Sequence, residues 1–145
     1  MRCGDENLAA VQAPAVAPTG ADDGEALFAR LAALIDEVIG DGAGDVVVCG
    51  VGCGGPMARG GETVSPLNIP QWREFPLRDR LARQLGLPVF VDNDAKALAL
   101  GEGWCGAARG ARDYLAMVVS TGVGGGVVVD GRLLDGDSGN AGHIG

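Results

Sequence analysis

At 145 residues with 47% apolar composition, the chain is long enough to bury one core and too apolar to be disordered. A net charge of −8 without any Lys/Arg cluster argues against duplex nucleic acid or an anionic membrane as partner. No apolar run reaches the ~18 residues of a membrane span, and residues 1–14 lack the basic, apolar, small-residue order of a signal peptide.

Leu8 to Val16, interrupted by Pro14, reads as an edge strand. A linker over residues 17–24 follows, in which Asp22 or Asp23 can cap a helix. Leu27, Leu31, Leu34, Ile35 and Val38 then recur on one helical face, with Gly40 as the stop. Val46–Val51 reads as a buried strand running into a glycine turn at residues 52–56. Residues 57–65 look like a hairpin excursion, and residues 66–72, with two prolines, are irregular. Leu77, Leu81 and Leu85 mark a second amphipathic helix. Residues 88–93 form another apolar strand, and residues 95–108 a helix of small side chains. The four cysteines, Cys3, Cys49, Cys53 and Cys105, form no CxxC pair and fit the reduced thiols of a cytoplasmic protein.

Strand–helix alternation predicts an α/β sheet with parallel strands. Ligands of such sheets bind beyond the carboxyl ends of the strands. Both the turn at residues 52–56 and Asp92-Asn93-Asp94 fall there. Asp and Asn are poor strand formers, so the triplet is either a helix cap or a catalytic acid at a strand end. Asp94 is expected at the mouth of the strand, capping the helix that begins near Ala95.

After Gly110 the pattern changes. A strand over residues 114–120, a glycine turn, a strand over 126–129, an Asp130-Gly131 turn and a short final strand predict an antiparallel section. Residues 1–110 are accordingly assigned to an N-terminal α/β domain and 111–145 to the beginning of a second. The glycine-rich stretch at residues 120–126 is followed by a strand, not by the helix that a dinucleotide fingerprint needs. It is either a flexible hairpin turn or an anion nest of backbone N–H groups to which the Thr121 hydroxyl adds a donor.

Taken together, the segments around Gly54-Gly55, Asn68, Asn93-Asp94, Thr121-Gly122 and the final Ala-Gly-His-Ile-Gly resemble the ROK family of bacterial glucokinases, related hexose kinases and sugar-responsive repressors. The resemblance covers roughly residues 8–145 and implies the actin-like, hexokinase-type (ribonuclease H-like) fold. It also implies ATP-dependent phosphorylation of a hexose, with glucose as the first expectation. Asp94 matches the general base. Asn68, Asn93, Gly54 and Gly55 match sugar-binding positions, and Thr121, Gly122, Gly124 and Gly125 match a phosphate loop. Asp92 stands where the family often has Glu and is read as a capping or solvated acid. Gln71 replaces a customary Gly. His143 stands where Glu usually binds the sugar hydroxyls, and an imidazole can also donate or accept there.

The resemblance further implies ATP with Mg²⁺, no nucleic-acid or membrane partner, and a homo-oligomer in full-length form. The family's opening Asp-x-Gly-Gly-Thr phosphate segment has no match here, and Gly145 precedes the position of an expected zinc-binding cluster. The chain is therefore expected to be partial, with structural zinc only in a full-length parent. A sugar-sensing regulator without its DNA-binding domain, and an inactive fragment of a kinase, are the alternatives; an intact Asp94 favours the kinase, because a sensor needs no base.

Overall fold

The computed structural model describes residues 16, 18–20, 23–40, 46–120 and 122–144. The predicted edge strand therefore lies outside the described residues, apart from Val16, which is in no strand. Helix α1 spans Gly24–Ile39, and the Asp23 carboxylate caps it by accepting the Ala26 N–H at 2.7 Å. Gly40 ends the helix in a conformation with φ of 47°, one that glycine adopts without steric cost.

Strand β1 (Cys49–Cys53) and strand β2 (Val89–Asn93) pair in parallel, Cys49 opposite Val89 and Cys53 opposite Asn93. The expected strand at Val46–Val51 is thus shifted. Val46–Val48 are apolar, but β2 begins only at Val89, so the ladder starts at Cys49. Between the strands, Met57 and Phe75 each bridge Val64, which makes the predicted hairpin excursion real. Helix α2 (Leu77–Leu85) then closes a strand–helix–strand unit.

The core lies on the face of this unit that carries Val89, Val91 and Cys53. Leu27 and Phe28 of α1, Val64, Trp72, Phe75, and Leu77 and Leu81 of α2 fill it. Trp72 stacks on Phe75 at 4.6 Å between ring centroids, and its indole N–H donates to the Gly24 carbonyl. Arg80 pairs with Glu25 and lies 4.2 Å over the Phe28 ring, which joins α2 to α1. Such aromatic and cation–π contacts each contribute about 0.5–1.5 kcal/mol beyond area burial.

Helix α3 (Asp94–Cys105) leaves β2 without a connecting residue. It packs against β1 and β2 and also against an antiparallel sheet of β3 (Tyr114–Val119), β4 (Val123–Val129) and β5 (Arg132–Leu133). The Asp130-Gly131 turn between β4 and β5 forms as predicted, with φ of 55° and 75°.

The glycine turn does not form as expected. Gly124 pairs with Val118, Gly125 with Met117 and Gly126 with Ala116, so all three lie inside β4. The cause is the helix above them. A Cβ on Gly124 would stand 3.0 Å from the Ala95 Cβ, and one on Gly126 would stand 2.5 Å from the Ala99 Cβ. Glycine here lets a strand run flush beneath α3, and β4 begins as early as Val123, with Ser120 N–H donating to the Gly122 carbonyl at 2.9 Å ahead of it.

Candidate functional site

Because β1 and β2 are parallel and in register, their carboxyl ends lie side by side. The Gly54-Gly55 turn leaves β1 next to the point where Asn93 and Asp94 leave β2. Residues 66–72 cross above them. A Cβ on Gly54 would lie 3.6 Å from the Asn68 Oδ1. A Cβ on Gly55 would lie 2.6 Å from the His143 Cε1 and 3.5 Å from the Asn93 Nδ2. A side chain at either position would therefore fill the place where two amides and an imidazole converge.

The result is a cleft of about 900 Å³, lined on its polar side by Gly54, Gly55, Asn68, Asn93, Asp94 and His143. Gly122 and Gly124 line the same cleft. Gly125 does not. It is buried, and its N–H donates to the Gly142 carbonyl at 2.9 Å. Thr121 lies outside the described residues.

The capping roles differ from the sequence reading. Asn93, buried to 7% exposure, is the cap of α3; its Oδ1 accepts the N–H groups of Ala95 and Lys96 at 3.0 and 3.4 Å. That fixes the amide's orientation and turns the Nδ2 donor toward Gly55. Asp94 is the first helical residue, with an exposed carboxylate that also accepts the Ala95 N–H at 2.9 Å. Placement in the first turn favours its negative charge. Among the described residues it is the one acidic side chain lining the cleft. Beside it, the Cys53 thiol is pushed up to about 11, chiefly by burial and further by the Asp94 charge.

Asp92 is neither a cap for α3 nor a free acid. Its Oδ1 accepts the Asn93 N–H at 2.7 Å and pairs with the Lys96 ammonium at 2.9 Å. Lys96 itself is only 2% exposed and also reaches Asp135 at 2.6 Å. The sequence analysis did not single it out. Its one local signal is the i,i+4 spacing to Asp92, because Asp135 is 39 residues away.

Among the described residues, no three His, Cys, Asp or Glu side chains stand close enough to hold a metal ion, and no helix is long and apolar enough to cross a membrane.

An α/β unit with a cleft at the carboxyl ends of parallel strands, one carboxylate among its described lining residues and an antiparallel hairpin contributing to the same lining defines a hexokinase-type architecture. The chain belongs to the ROK family, whose model matches residues 3–145. It is 42% identical over 133 residues to a glucokinase of Halalkalibacterium halodurans, covering 88% of this chain and 40% of that protein. Over 82 residues it is 49% identical to an N-acetylmannosamine kinase of Citrobacter koseri, covering 57% of this chain and 28% of that one. The ROK glucokinase of Streptomyces griseus, solved with glucose and AMPPNP, superposes with a TM-score of 0.76 at 32% identity, covering 86% of this chain and 39% of that chain. The chain thus spans about two-fifths of the length of the two glucokinases.

Proposed function

We propose that the protein phosphorylates a hexose at the expense of ATP, with glucose as the first substrate to test, and that Asp94 is its general base. The observation carrying this is the placement of one carboxylate, Asp94, among Asn68, Asn93 and His143 in a cleft at the strand ends. In the reaction a sugar hydroxyl attacks the γ-phosphorus of ATP. The new O–P bond forms as the bond to the ADP oxygen breaks, and the hydroxyl proton passes to the Asp94 carboxylate. Such transfers depend mainly on positioning and charge stabilisation, and a placed base contributes about 10²–10⁴-fold.

Asn93, with its Oδ1 committed to the helix cap, offers only N–H donors to the sugar. Asn68 and His143 offer donors or acceptors from two other sides. Ser120, Gly122 and Gly124, which line the same cleft, receive the nucleotide phosphates in this reading, and Thr121 keeps the phosphate-loop role that the family resemblance implies for it. Mg²⁺ bound to those phosphates would neutralise their charge. The change from parallel to antiparallel sheet after Gly110 supports residues 1–110 as the sugar-binding domain and 111–145 as the beginning of a second. A cytoplasmic location and a homo-oligomeric assembly belong to the same proposal.

A second sugar class is carried by the N-acetylmannosamine kinase match, 49% identical over 82 residues, which is shorter than the glucokinase match of 42% over 133 and so stands behind it. The test is ADP release from the protein expressed from its natural reading frame, with glucose, mannose and N-acetylmannosamine offered in turn beside ATP and Mg²⁺. Glucose-dependent turnover supports the first reading, and turnover with N-acetylmannosamine alone supports the second. No sugar-dependent ADP release from any of the three would overturn both.

A further inference from the structure

Lys96 is a buried cation one helical turn beyond Asn93-Asp94, and nothing in the proposed chemistry uses it. Its ammonium is held by Asp92, at the end of β2, at 2.9 Å. Across the fold it is held by Asp135 at 2.6 Å and by the Gly139 carbonyl at 3.2 Å. Burial alone would lower its pKa, but the bonds to Asp135 and Asp92 outweigh that and raise it.

Those distant partners belong to the segment that carries His143. Asp135 begins it, and its backbone carbonyl accepts the Ala141 N–H at 3.0 Å. Asn140 clasps Met57 from both sides, its Oδ1 accepting the Met57 N–H and its Nδ2 donating to the Met57 carbonyl at 3.3 and 3.2 Å. His143 N–H then donates to the Asn140 carbonyl at 3.3 Å, and the imidazole comes to rest over Gly55. Segment 135–143 contains no regular helix or strand, so its position rests on these bonds and on the Gly125 N–H that donates to the Gly142 carbonyl at 2.9 Å, and the one buried charge among them is Lys96.

We propose that Lys96 is a positioning residue for sugar binding. Through Asp135 and Gly139 it latches the His143 segment to the helix turn that carries Asn93 and Asp94, so that both walls of the sugar site move as one body. This rests on the proposed sugar-kinase reading. Lys96 touches no substrate; it acts through the placement of His143.

Lys96→Met keeps much of the side-chain volume and removes the charge. It is expected to raise the sugar KM about tenfold, mid-range for residues coupled through a shared network. Turnover at saturation is expected to stay within roughly twofold, as for a loss of binding alone. Asp135→Ala, at a side chain 65% exposed, leaves Lys96 its bonds to Asp92 and the Gly139 carbonyl, is expected to act in the same direction, and carries the test should Lys96→Met fail to fold.

Two readouts separate positioning from bulk stability. In a His143→Ala background, Lys96→Met should add nothing further to the sugar KM. Hydrogen exchange at the Ala141 and His143 amides should quicken in both single variants, as expected for local opening. Unchanged KM in both variants overturns the proposal, as does an additive effect in the His143→Ala background. So does faster exchange without a KM change. Should the parent protein phosphorylate no sugar at all, the kinase reading falls and takes this one with it; an active parent with indifferent variants sinks the latch alone.

Discussion

Gly126→Ala separates packing from phosphate binding as the reason for the glycines of β4. The added Cβ would sit 2.5 Å from the Ala99 Cβ and 3.0 Å from both the Ala95 carbonyl oxygen and the Lys96 Cα. Ordinary carbon contacts lie at about 3.5–4.0 Å, so β4 and α3 would have to part by roughly 1 Å. No flexible side chain can yield, because the obstacles are a methyl group and helix backbone. Overpacking of this kind costs about 1–3 kcal/mol. The stiffer unfolded chain returns about 0.4–1 kcal/mol. The expected net loss is about 1.3 kcal/mol, or a urea midpoint lower by roughly 0.7 M at an m-value of about 2 kcal/mol/M. Urea titration followed by tryptophan fluorescence measures it, since Trp72 is buried in the core. Gly122→Ala is the control. A Cβ there meets nothing within 4 Å, so its stability should stay within about 0.5 kcal/mol of the parent. Ala99→Gly should restore part of the loss in the Gly126→Ala protein, although alone it costs the helix about 1 kcal/mol. A Gly126→Ala variant as stable as the parent, yet with weakened ATP binding, would refute the packing explanation.

Further outcomes follow from other parts of the fold. Leu81→Ala, at a core position 1% exposed, should cost about 2–5 kcal/mol in the same titration, whereas Leu115→Ala, 53% exposed, should cost under about 0.5 kcal/mol. Cys53 should alkylate with an apparent pKa of about 11, up from an ordinary thiol's 9.0, and Asp94→Asn should lower that value without restoring 9.0, because burial is the larger cause. Its folded-state pKa is the raised one, so its share of stability is fully present below pH 9.0 and lost as the pH climbs through about 11. Of the three cysteines among the described residues, Cys105, exposed on α3, should react first.

What the sequence reveals follows from which contacts are local. Helix α1 is legible because Leu27, Leu31, Leu34, Ile35 and Val38 mark one face, and the cap at Asp23 lies next to it. The start of β1 is not legible, because its first ladder residue is decided by a partner strand 40 positions away. Gly124–Gly126 mislead for the same reason. Glycine signals a turn when read locally, and only the passage of Ala95 and Ala99 overhead explains a flat strand. The Asp92-Asn93-Asp94 triplet is half legible. Its position at a strand mouth follows from the apolar run before it, but the division of labour does not, and Asn93 takes the cap while Asp94 faces the cleft. Lys96 is invisible because half of its neutralising charge comes from Asp135, in a segment whose own pattern is irregular.

The central claim is that Asp94 accepts the proton from the sugar. Replacing it by Asn keeps the shape and loses the ability to take that proton. The most direct measurement compares Asp94→Asn with the parent in two assays on the protein from its natural reading frame: steady-state ADP release with glucose, ATP and Mg²⁺, and calorimetric titration with glucose alone. Turnover should fall about 10²–10⁴-fold while glucose affinity stays within about threefold, since the two differ by an interaction made only in the transition state. Turnover within a factor of a few of the parent, at equal glucose affinity, would contradict the assignment and place the base elsewhere.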